Sequence, residues 1–119
     1  MPDKDTEKSI IADIMVTCLM EFKRKNKVPK ESERLPLGDL AVTAGAHEDL
    51  GDLIPMHMAF AQNATVWGNT TPDEDRLSND KAMTDDTRVV SSWHLNGQDY
   101  FVITEHDRSV TTILRKEEY

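Results

Sequence analysis

"SSWHLNGQDYFVITEHDRSVTTIL", residues 91–114, is the stretch whose reading decides the fold. Asn96-Gly97 suits the two positive φ angles of a type I′ hairpin turn. That turn predicts pairing of Leu95 with Gln98 and of Val90 with Ile103. A second turn at His106-Asp107 then sets Ile103 opposite Val110 and Phe101 opposite Thr112. Period-two alternation sorts the side chains onto two faces. One holds Val90, His94, Phe101, Ile103, Val110 and Leu114; the other holds Val89, Trp93, Tyr100, Val102, Thr104 and Ile113. Both faces are apolar and both need cover, while each edge of a three-stranded sheet could accept another strand.

Upstream, "DTEKSIIADIMVTCLMEFKRKNKVP" reads as a helix. Ile10, Ile11, Ile14, Met15, Cys18 and Phe22 recur at helical spacing, and Val16, Leu19 and Met20 widen that stripe. Asp5 or Thr6 can cap the start; Lys23, Arg24, Lys25 and Lys27 gather where the C-terminal dipole favours cations, before Pro29. So broad an apolar surface predicts burial or contact with a second chain. Cys18, the single cysteine, reads as a buried small hydrophobe.

The middle of the chain admits two readings. Leu40, Ala41, Ala44, Gly45, Leu50 and Leu53 fit the spacing of a helix-turn-helix, which with the hairpin downstream gives a winged-helix DNA binder. A short strand at 40–43 followed by a helix from about residue 46 fits equally well. Charge speaks against DNA, because His47-Glu48-Asp49 and Asp52 would set carboxylates against phosphates. Pro55 either kinks the helix or starts a new one, with Met56, Met58 and Phe60 as core candidates. Residues 68–86 are turn-rich and acidic and predict a surface loop with one helical turn near 79–84.

The expected fold is therefore a single α+β domain over residues 1–119. A helix within 1–34 and a helical middle over 35–67 pack on a C-terminal three-stranded antiparallel β-meander at 87–119, with an acidic loop at 68–86 between them.

The formal net charge of −8 is concentrated in one segment. Residues 35–87 hold ten acids against two bases, Arg76 and Lys81, while the two flanking segments are nearly balanced. Such a segment repels nucleic acid and attracts a basic surface. Its candidate partner-binding residues are Glu48, Asp49, Asp52, Asp73, Glu74, Asp75, Asp80, Asp85 and Asp86. No phosphate-binding glycine loop, nucleophile elbow or zinc spacing is present, so no catalytic residue, metal or cofactor is assigned. An acid/base cluster at His47 with Glu48 or Asp49 is the one arrangement that would suit a small hydrolase. No stretch is apolar enough to span a bilayer, no signal peptide is evident, and a reducing cytoplasm is the expected compartment.

Thr43-Ala44-Gly45, Asn79-Asp80, Leu95-Asn96-Gly97 with Phe101 and Ile103, Asp107, and the terminal "RSVTTILRKEEY" fall in a shared order. In these pieces, over about residues 40–119, the chain resembles a short bacterial domain-of-unknown-function family common on plasmids and other mobile elements. The resemblance implies no activity, but a mobile-element setting in which small acidic proteins bind host proteins. The expected function is a non-enzymatic inhibitor. It would occupy a basic surface on a host nucleic-acid-handling defence complex, its carboxylates standing in for phosphates. Self-association as a homodimer is expected as well.

Overall fold

Helix α1, Lys4–Lys25, begins and ends on side chains and turns that the sequence supplies. The computed structural model describes every residue from Met1 to Tyr119. The Asp3 carboxylate, rather than Asp5 or Thr6, caps the helix by accepting the Thr6 N–H at 2.8 Å. At the other end Asn26 turns left-handed at φ 56°, and the N–H groups of Asn26 and Lys27 close on the carbonyls of Lys23 and Phe22. The helix thus stops at Lys25, well short of residue 34; only a 3-10 turn at Glu31–Glu33 follows. Ile10, Ile14 and Cys18 are buried and Ile11 and Phe22 half-buried, but Val16, Leu19 and Met20 remain exposed. Burial pushes the Cys18 thiol up to about 11, which leaves it inert.

The sheet is four-stranded and mixed, which corrects the three-stranded antiparallel meander. Strands β1 (Asp39–Val42), β2 (Val89–Leu95), β3 (Gln98–Thr104) and β4 (Val110–Arg115) lie in the order β1-β4-β3-β2. β1 runs parallel to β4, with Asp39 beside Val110 and Val42 beside Ile113. Gly38 permits this approach: at φ 64° its backbone lies so close to the β3–β4 turn that a Cβ would sit 2.2 Å from the Ser109 carbonyl oxygen. The Asp39 N–H donates to that carbonyl, and the Thr111 hydroxyl donates to the Leu37 carbonyl.

The first hairpin has the expected register, Leu95 with Gln98 and Val90 with Ile103, with Asn96 and Gly97 both at positive φ. The second is offset by two residues: Ile103 faces Thr112 and Phe101 faces Leu114. The connection occupies five residues rather than two, because Arg108 turns left-handed at φ 60° before β4 resumes. An even offset preserves the faces.

Helices α2 (Ala44–Leu50) and α3 (Leu53–Asn63) follow β1. Thr43 caps α2 by accepting the Ala46 N–H, Gly51 breaks the chain at φ 71°, and Pro55 sits in the first turn of α3, where its missing N–H costs nothing. Residues 39–42 are therefore strand, and the helix-turn-helix reading of 38–53 is withdrawn. α1 and α3 cover the face bearing Trp93, Tyr100, Val102 and Ile113, with Leu50, Ile54 and Met58 filling the core. A buried polar line docks α3: Gln62 accepts from Ser91 at 2.5 Å and donates to the Val102 carbonyl and the Thr104 hydroxyl, which in turn meets Thr111 at 2.8 Å.

The second face is served by the C-terminus, which makes a 3-10 turn at Lys116–Glu118 and brings Tyr119 edge-on to Phe101 at 5.5 Å. Ile103 and Leu114 on this face are buried within the protomer. The second layer is a short tail rather than a helix.

Candidate functional site

The acidic segment is ordered, and most of what orders it is polar. "DEDRLSNDKAMTD" forms helix α4, Asp73–Asp85, in place of the expected loop. No apolar stripe announces it, since Leu77 is exposed and only Asn79 and Ala82 are buried. Pro72 occupies the N-cap without a side-chain cap; Asp73, Glu74 and Asp75 fill the first turn, where the dipole favours negative charge. Asp86 closes the helix at φ 55°. Arg108 donates to the Ala82 carbonyl at that end, and Arg76 donates to the carbonyls of Thr71 and Gly68 at the other.

Residues 69–79 also close one edge of the sheet. The Asn79 amide donates to the Val90 carbonyl and accepts its N–H; Thr71 accepts the Ser92 N–H, and the Thr70 N–H reaches the Ser92 carbonyl. The Asn69 amide brackets both backbone groups of His94 at 3.0 and 2.8 Å. All six outward backbone groups at Val90, Ser92 and His94 thus have partners, and β2 can accept no further strand. Of the two edges expected to be open, only the four-residue β1 remains.

The nine candidate carboxylates do not form one surface. Asp73, Glu74 and Asp75 stand together, exposed and in no ion pair. Asp85 and Asp86 lie at the far end of α4, about 20 Å away by helical rise; Asp85 accepts from the Thr87 N–H and hydroxyl. Asp80 accepts the Trp67 indole N–H at 2.8 Å, a structural bond. Glu48 is exposed on α2, 3.9 Å from Arg115, and Asp52 pairs with the His47 ring at 2.8 Å in the open.

Asp49 is different in kind. Both its oxygens take N–H groups of Arg115, at 2.8 and 2.6 Å, and one also accepts the Tyr100 hydroxyl at 2.9 Å. Arg115 beside it, helped by the Tyr100 hydroxyl, holds its carboxyl below the usual carboxylate range. Burial and then the neighbouring Asp49 push the Tyr100 phenol up. This is a bolt between α2, β3 and β4. It also takes the His47, Glu48 and Asp49 cluster apart: His47 turns to Asp52, Glu48 to solvent, and Asp49 inward. The sequence marks Tyr100 as a sheet residue and sets Asn79 and Arg115 within the pieces that carry the resemblance. The roles of these three and of Asn69 rest on partners 11 to 66 positions away, which no local pattern shows.

Comparison of the chain with protein-family models, with curated proteins and with solved structures finds no match. No helix is long and apolar enough to cross a membrane.

Proposed function

We propose that the chain is a non-enzymatic acidic interaction protein, and that Asp73, Glu74 and Asp75 at the head of α4, with Glu48 and Asp52 on the α2 side, engage a basic partner surface. One observation carries this reading: three consecutive exposed carboxylates make no ion pair, and Arg76, the base next to them in sequence, is turned onto backbone carbonyls. An unanswered cluster raises the local concentration of cationic partners and steers their approach. The narrower reading is a host nucleic-acid-handling complex, its phosphate-binding groove occupied by carboxylates; the net charge of −8 supports it. The same protomer also pairs with a second copy through a different face.

Capture from a host lysate on the immobilised chain, followed by challenge with salt and with duplex DNA, tests this. The expected result is a basic protein that salt elutes and DNA displaces. Retention of nothing salt-sensitive sinks the proposal; elution by salt but not by DNA sinks the mimicry alone.

A further inference from the structure

The outer side of α1 carries Val16, Leu19 and Met20 at 52%, 62% and 67% exposure, uncovered by anything in the protomer. Beside them α3 presents Met56 and Phe60, which with Met15 and His57 line an open apolar cleft. Five large exposed apolar side chains on two packed helices are more than scattered surface hydrophobes. What brackets them is charged and ordered. Asp13 lies on the N-terminal side and Lys23 on the C-terminal side, ten residues and about 15 Å apart along the helix. Both are exposed, and neither makes an ion pair within its own chain.

We propose that this face is the interface between two copies of the chain, with the two α1 helices packed antiparallel about a twofold axis that crosses the exposed face at the level of residue 18. Val16 of each copy then meets Met20 of the other, and Asp13 of each lies opposite Lys23 of the other. The order of charge along α1 selects the antiparallel arrangement. The acid Asp13 precedes the stripe and the base Lys23 follows it, so a parallel pair would set like against like; Lys4 and Lys8 offset Asp5 and Glu7, and Glu21 already holds Arg24 and Lys25. Antiparallel helices also oppose their macrodipoles favourably. Contact between identical patches closes on itself and stops at two copies. The acidic head of α4 plays no part in the pairing.

Sedimentation equilibrium of the full chain, from low micromolar to several hundred micromolar, is the test. Wild type should shift from 13.5 kDa toward twice that mass as concentration rises. Asp13→Lys alone and Lys23→Asp alone should each weaken association about tenfold, because two attractive contacts become repulsive. Mixing the two variants, or combining both changes in one chain, should restore it. A fold defect could not be rescued by mixing. Wild type that stays at 13.5 kDa throughout overturns the proposal. So does a dimer indifferent to both single changes, or a mixture that fails to associate.

Discussion

Asp49 and Arg115, 66 residues apart, form a bidentate ion pair that fastens α2 to the last strand of the sheet. Its worth should appear in Asp49→Asn, which keeps the shape but loses the charge. Removing a charged acceptor from a guanidinium and a buried phenol is expected to cost about 1–2 kcal/mol, read by urea unfolding. A variant as stable as wild type would show that water serves Arg115 and Tyr100 equally well.

The same pair predicts a pH dependence. Arg115 lowers the folded-state pKa of Asp49 below its unfolded value. The stabilisation is therefore fully present above the unfolded value, about 4, and is lost as pH falls through the folded one. Wild type and Asp49→Asn should converge in stability as pH drops from 5 toward 2 (about three units, bracketing the carboxylate range). A gap that stays constant across that range would place the loss in packing instead of charge.

Asn79→Ala should weaken the molecule in two separable ways. It removes both hydrogen bonds to Val90 from a nearly buried site, a loss of about 1–3 kcal/mol. It also frees one donor and one acceptor on β2, and light scattering near the melting temperature should rise. Loss of stability without any added scattering would show that Asn69 and Thr71 suffice to guard the edge.

Two glycines should separate strain from collision. A Cβ at Gly97 meets nothing within 4 Å, so Gly97→Val pays only for its left-handed backbone, about 1 kcal/mol or somewhat more. At Gly68, also at positive φ, the Cβ would lie 2.1 Å from the Ser92 carbonyl oxygen. Gly68→Ala should therefore be clearly the more damaging of the two in thermal melts, despite the smaller side chain.

What could be read from the sequence follows the range of the interactions. Asn96-Gly97 and the alternation around it declare the first hairpin and both sheet faces, because turn chemistry and pleat are local. The β1–β4 pairing joins residues about 70 positions apart through a four-residue strand, too short for any period to show. α4 is longer than the single helical turn expected near 79–84. Its full length does not show in the sequence because only Ala82 and Met83 join an apolar cluster, while Asn79, Arg76 and Asp80, polar residues that mimic a loop in composition, supply the rest of its docking. The Pro72-Asp73-Glu74-Asp75 run was the available sign of a helix start. In the sequence Asp49 reads as one more surface acid; only the fold brings Arg115 to it.

That distinction decides how the acidic surface should be probed. Neutralising Glu48, Asp49 and Asp52 together would unbolt α2, so the α2 side is tested with Glu48→Gln and Asp52→Asn, leaving Asp49 in place. The α4 side takes Asp73→Asn, Glu74→Gln and Asp75→Asn. These three also complement the helix dipole, so a small loss of thermal stability is expected and must be measured alongside binding. Charges acting through a shared field matter collectively, and single substitutions should change little. The α4 triple variant should slow association with a captured basic partner about tenfold at low salt and flatten its salt dependence, leaving dissociation nearly unchanged. The α2 double variant should do less, because Arg115 already offsets part of the field near Glu48. If both variants associate as fast and as salt-sensitively as wild type, the carboxylates serve solubility and α4 stability alone, and a partner must be sought at the open edge of β1.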